Sequence, residues 1–211
     1  MHANLRKVLL AATMMCAAPS AFANVITDWD EKAVAAVTPL AALGGTTPYM
    51  AQRMMAMVHA AMFDAVNSIE RRYRPYLVQL PAAATTSKEA AAAAAAATVL
   101  ATIDAKTARE MRDAIAVYLA SIPDGAAKSD GVALGETVAA KVLEARANDG
   151  SGAPDAYRPR TTPGVYVPTP ITINSMWPDM KPVRHGQGIP VSAKAANRVE
   201  QQGVGGRLQR T

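Results

Sequence analysis

Between Met50 and Ile69 the apolar side chains recur as Met50, Met54, Met57, Val58, Ala61, Met62, Ala65, Val66 and Ile69. That three-and-four spacing turns one face of a helix toward a core. Thr47 is placed to cap this helix, Pro48 suits its first turn, and Pro75 forbids continuation beyond the run Glu70-Arg71-Arg72-Tyr73-Arg74. A shorter helix is expected over residues 28–37. An alanine-saturated one opens at Ser87-Lys88-Glu89, with Val99, Leu100 and Ile103 as its bulky apolar groups. From Thr107, a further helix gathers Met111, Ile115, Tyr118, Leu119 and Ile122 on one face and stops at Pro123-Asp124-Gly125. The last, from about Ser129 to Asn148, presents Leu134, Val138, Val142 and Ala145. No stretch alternates with the period of a strand, so the expected class is all-α: an incomplete antiparallel bundle of about five helices over residues 24–149.

From residue 150 to residue 182 the chain becomes rich in proline and poor in apolar runs. Either an ordered, irregular strap that needs a surface to lie on, or a flexible linker, has this composition. At the other end, Arg6-Lys7 precede an apolar run from Val8 to Ala18, and Ala21-Phe22-Ala23 supplies the small residues a signal peptidase accepts. Residues 1–23 therefore read as a signal peptide, cleaved after Ala23, which places the mature chain in the periplasm or outside the cell. The run is too short to span a membrane, and no later stretch is apolar for long enough. Cys16, the single cysteine, lies inside this leader, so no disulfide is expected after processing.

Charge narrows the choice of partners. Two of the 22 Lys and Arg lie in the leader and five follow Pro182; of the 17 Asp and Glu, only Glu200 lies outside residues 24–182. The body therefore holds 15 basic against 16 acidic residues, a net charge of −1, and offers no basic patch for nucleic acid or anionic lipid.

The string Ala56-Met57-Val58-His59-Ala60-Ala61-Met62-Phe63-Asp64-Ala65-Val66-Asn67, followed by Arg72-Tyr73-Arg74-Pro75-Tyr76, resembles the N-terminal helical region of secreted vanadium-dependent haloperoxidases and their type 2 phosphatidic acid phosphatase relatives. Further matches are Val25-Ile26-Thr27-Asp28-Trp29-Asp30 after the leader, the alanine-rich helix, and Pro163-Gly164-Val165-Tyr166-Val167-Pro168-Thr169-Pro170 ahead of Trp177-Pro178. The resemblance covers roughly residues 24–182 and only the front half of the family. It implies peroxide-driven halide oxidation on bound vanadate, or phosphoester hydrolysis in the same kind of pocket. It also implies an intramolecular partner, the C-terminal helical bundle that carries the oxyanion site.

In that family a Lys, two Arg, a Ser-Gly-His element and a second His surround the oxyanion, because a multiply charged group needs cations, dense donors and an imidazole beside it. The family's first motif sets a Lys seven positions before Arg-Pro. Here Arg74-Pro75 has Asn67 at that place and Arg158-Pro159 has Ser151, and no Pro-Ser-Gly-His occurs. No catalytic, cofactor-binding or metal-binding residue is carried over, and the chain is expected to be inactive alone.

His59 is the one histidine outside the leader and the tail, which rules out a histidine–cysteine metal cluster. His59, Asp64 and Ser68 do not make a triad, since five residues turn a helix through about 500° and leave Asp64 about 140° from His59. A core-edge histidine with a hydrogen-bond partner is the expectation for His59. Asp64 and Asn67 are expected to bond to each other or to a neighbouring loop. Asp104, Arg109, Glu110, Arg112 and Asp113 read as a solvated face, and the methionine stripe as adaptable core packing.

The tail, residues 183–211, has no Phe, Trp or Tyr and no periodic apolar face, and by itself reads as a disordered basic extension. A permitted choice of its codons, read with one nucleotide removed directly after the Pro182 codon, spells FVMAKAFRFRPKPPIALSSKEWAADYNE. That peptide continues the family pattern, so a frameshift is expected at this point. Sequencing the gene across Pro182 and beyond should reveal this alternative frame, with the missing Lys, Arg and His motifs downstream. An uninterrupted frame without them would refute the expectation.

Overall fold

The computed structural model describes residues 24–42, 48–154 and 174–183. Five helices make up the described chain: α1 (Val25–Ala42), α2 (Pro48–Glu70), α3 (Lys88–Leu100), α4 (Ala105–Ala120) and α5 (Ala126–Arg146), with a single 3-10 turn at Trp177–Asp179 and no strand among the described residues. The architecture is the all-α bundle that the periodicity predicts. Thr47, the leader and the tail after Val183 lie outside the described residues, as does most of the proline-rich segment.

At the centre stands α3. Ala90, Ala91, Ala92, Ala93, Ala94, Ala95 and Ala96 are all fully buried, so this helix is enclosed on every side rather than along one stripe. Ser87 caps it, its hydroxyl oxygen accepting from Ala90 N at 3.1 Å, and Ser87 N donates to Ala127 O at 2.9 Å, which ties the start of α3 to the start of α5. Along α5 the buried positions Gly131, Leu134, Gly135, Val138, Ala139 and Val142 face this helix and the core. The two glycines set how close the helices come. A Cβ at Gly131 would lie 2.6 Å from Ser87 O, and one at Gly135 would collide with Ala91 O.

The remaining helices wrap this pair. From α2 come Met57, Val58, Ala61, Met62, Ala65 and Ile69, as the methionine stripe predicts. α1 contributes Trp29, Ala33 and Val37, four residues apart, with the Trp29 ring meeting Tyr118 of α4 edge-on at 6.2 Å between centroids. α4 is peripheral: it buries only Thr107 and Met111, while Val117 is 75% exposed.

Several boundaries differ from the sequence expectation, each for a local reason. α1 begins at Val25, ahead of the expected start, because Asn24 caps it, its side-chain oxygen accepting from Ile26 N at 3.0 Å. It also runs through Pro39 in its last turn, where the missing N–H costs a single hydrogen bond. α2 ends at Glu70, before Pro75 can act, since Arg71 adopts a left-handed φ of 53° while its N–H still reaches Asn67 O at 2.7 Å. α4 starts at Ala105 because Asp104 is its cap, accepting from Thr107 N at 2.7 Å; Asp104 is exposed, as are Arg109, Glu110, Arg112 and Asp113. α5 starts at Ala126, after Gly125 at φ 146°.

Alanine normally stabilises an exposed helix position over glycine by about 1 kcal/mol. At Gly135 the sign reverses, because the added methyl forces α3 and α5 apart. Gly135→Ala should lower the unfolding free energy by about 2 kcal/mol in urea titration, in the range of overpacked cores. A variant as stable as the parent would show that the two helices are not locked at this distance.

Candidate functional site

The stretch that carries the family resemblance folds as the second half of α2 and the loop that returns from it. Asp64 is completely buried, and its carboxylate accepts three backbone N–H groups: Tyr76 at 2.7 Å, Leu77 at 2.8 Å and Val78 at 2.9 Å. Asn67 clamps Tyr73 in both directions, donating from Nδ2 to Tyr73 O at 2.8 Å and accepting from Tyr73 N at 2.9 Å. One turn on, the Ser68 hydroxyl accepts from Leu80 N at 3.0 Å. Three polar side chains on one face of α2 thus satisfy the backbone of a loop that has no secondary structure of its own. Asp64 and Asn67 were expected to bond to each other or to a loop; they bond to the loop.

His59 lies on another side of α2. Its Nε2 sits 2.8 Å from Asp30 Oδ1 of α1, and both side chains are nearly half exposed. The helical offset keeps His59 out of contact with Asp64 and Ser68, so no triad forms. His59 instead lines a cleft of about 560 Å³, between the start of α1, the middle of α2 and the start of α3. Val25, Ile26, Met62, Phe63 and Val66 give it an apolar wall, and Glu70 and Lys88, bonded at 2.7 Å, stand at its rim. The Lys88 hydrogen bond holds the Glu70 carboxyl below its ordinary pKa, and the same contact raises that of Lys88.

A second polar cluster, which the sequence reading did not single out, joins the start of α2 to the end of α5. Asp149 Oδ2 lies 2.7 Å from Arg53 Nε and 2.7 Å from an Arg146 guanidinium nitrogen. Arg53 also donates to Arg146 O at 2.9 Å. Arg146 donates to Lys181 O at 2.8 Å and Pro182 O at 3.1 Å, while Lys181 N donates to Asp149 O at 2.8 Å. These bonds tie the described end of the proline-rich segment, residues 174–183, onto the bundle as an ordered strap; the Trp177 ring packs on Tyr49 at 5.3 Å. Gly150 turns the chain toward the strap at φ 90°, a backbone conformation that residues with a side chain rarely adopt. Burial pushes the Asp149 carboxyl up, but the hydrogen bonds from Arg53 and Ser151 and the charge of Arg53 outweigh it and hold the pKa at about 2. The sequence did carry a signal. Arg146 continues the buried four-residue series Leu134, Val138 and Val142, and Arg53 interrupts the methionine stripe between Met50 and Met57.

Chemically, these arrangements hold the chain together. Among the described residues, no group of three or more His, Cys, Asp or Glu is placed to hold a metal, and no helix is long and apolar enough to cross a membrane. Among the described residues, the buried guanidinium groups of Arg53 and Arg146 are both directed at Asp149.

Because the folded pKa of Asp149 lies below its unfolded value, its contribution is complete above about pH 4 and is lost as pH falls toward about 2. The shift is worth on the order of 2 kcal/mol. Asp149→Asn should lower stability at neutral pH by about 3 kcal/mol, because two arginines lose their counter-charge, and should flatten the acid limb of the stability curve. A parallel acid limb in the variant would place the titration elsewhere.

Comparison with family models, curated proteins and solved structures returned no match to this chain, so its chemistry is read from its own residues.

Proposed function

We propose that this chain is the supporting helical module of an exported haloperoxidase- or phosphatase-like protein, built to hold a catalytic helical bundle rather than to perform the chemistry. The observation that supports this reading is the role of the polar residues in the resembling stretch. Asp64, Asn67 and Ser68 are all engaged by the backbone of residues 73–80, so each acts as a staple. Oxyanion chemistry requires preorganised donors aimed at a charge that the ligand brings. Among the described residues, the buried cations Arg53 and Arg146 face a charge the protein already supplies. The vanadate or phosphate site, and with it halide oxidation or phosphoester hydrolysis, belongs on this reading to the partner bundle. Export follows from the leader, residues 1–23, with a periplasmic or secreted mature chain.

A second reading, a stand-alone helical binding module of the periplasm, draws support from the apolar cleft beside His59.

The scaffold reading is tested by incubating the full chain with orthovanadate, peroxide and bromide, and separately with p-nitrophenyl phosphate. No turnover above the blank is expected in either assay, and vanadium NMR should show only free vanadate. Turnover that survives purification and disappears with Arg53→Ala or Arg146→Ala would overturn it.

A further inference from the structure

The cleft has a character the scaffold role does not use. Its volume of about 560 Å³ falls within the range of small-molecule sites, roughly 300–1,000 Å³. Met62 forms part of its floor, and Phe63 and Tyr73, 40% and 60% exposed, stand on one side with their rings tilted together at 6.2 Å. Exposed aromatic surface gathered in a concave site marks binding, whereas single exposed apolar residues such as Val117 need no explanation.

Charge then selects the ligand. Glu70 is held by Lys88 at 2.7 Å and approached by Arg72 at 3.9 Å. Glu89, in the first turn of α3, accepts the Ser87 hydroxyl at 3.2 Å and faces the positive end of that helix. Asp30 is engaged by His59. Glu70 and Lys88 neutralise each other while Glu89 has no cationic partner, so an anionic guest would enter against a net negative lining, and a cationic one would give up its hydration in an apolar cleft whose carboxylates are already hydrogen-bonded; both cost free energy. Uncharged polarity is what the cleft still offers: Asp30 engages Nε2 of His59 and leaves Nδ1.

We propose that this cleft binds an uncharged, largely apolar small molecule with one hydrogen-bonding group, its body against Phe63, Val66 and Met62 and its polar group at His59. The site is independent of any catalytic partner, and its test reads binding to this chain alone.

N-phenyl-1-naphthylamine is a suitable probe, being uncharged, fluorescent in apolar surroundings and provided with one N–H. Its counterpart 8-anilinonaphthalene-1-sulfonate has the same aromatic body with one negative charge. Titrated against the full chain, the neutral dye should saturate at one site with a dissociation constant on the order of 100 μM or tighter. The sulfonate should bind at least about tenfold more weakly. Phe63→Ala should weaken the neutral dye about tenfold and His59→Ala about three- to tenfold, whereas Val117→Ala on α4 should leave it unchanged, all with unaltered thermal melts. Equal affinity for the two dyes would overturn the proposal, since that is the behaviour of a loosened core. So would equal effects of Phe63→Ala and Val117→Ala, or full affinity in His59→Ala.

Discussion

The close approach of α3 and α5 is the constraint on which the rest of the bundle depends. A helix of bare alanines offers little apolar area per residue, so it stabilises a fold only when its neighbours come near enough to exclude water from all sides. Gly131 and Gly135 permit that approach, because their α-carbons face Ser87 O and Ala91 O where any side chain would collide. The arrangement trades bulk for proximity. Large side chains then come from the outer helices, with Trp29 and Met62 fully buried around the alanine column.

On that column α2 works as a post with a polar staple at each end. Near its start Arg53 grips Asp149 and, with Arg146, holds the strap; near its end Asp64, Asn67 and Ser68 hold the returning loop. Both staples fasten irregular chain, which cannot satisfy its own backbone groups and would otherwise keep them in water. Burying the carboxylates Asp64 and Asp149 costs desolvation energy that the donors surrounding each one offset.

Much of this was legible in the residues. Apolar spacing, and for α3 the saturation with alanine, located all five helices, since periodicity reports directly which side chains leave water. Their ends were less legible, because they hang on single cap contacts: Asn24 and Asp104 start α1 and α4 earlier than apolar spacing alone indicates, and Arg71 closes α2 through a backbone conformation that few non-glycine residues adopt. The helical angle correctly separated His59 from Asp64, yet Asp30, the residue His59 meets, sits 29 positions away, and no local rule links them. The Arg53–Asp149–Arg146 cluster went unread for the same reason: two of its members are 96 residues apart, and charged residues read as solvated faces until a fold encloses them.

The same bonding pattern bears on function. A catalytic cradle must keep donors waiting for a charge that arrives, which requires unpaired polarity held in place by the fold. Among the described residues, the guanidinium groups of Arg53 and Arg146 meet a carboxylate and loop amides meet Asp64, while Trp29 Nε1 and Arg146 Nε are left without an acceptor. Buried polarity that is satisfied internally rigidifies a framework and gives up reactivity in exchange. Among the described residues, one open feature of the surface is the largely apolar cleft between α1, α2 and α3, whose lining carries no unpaired cation.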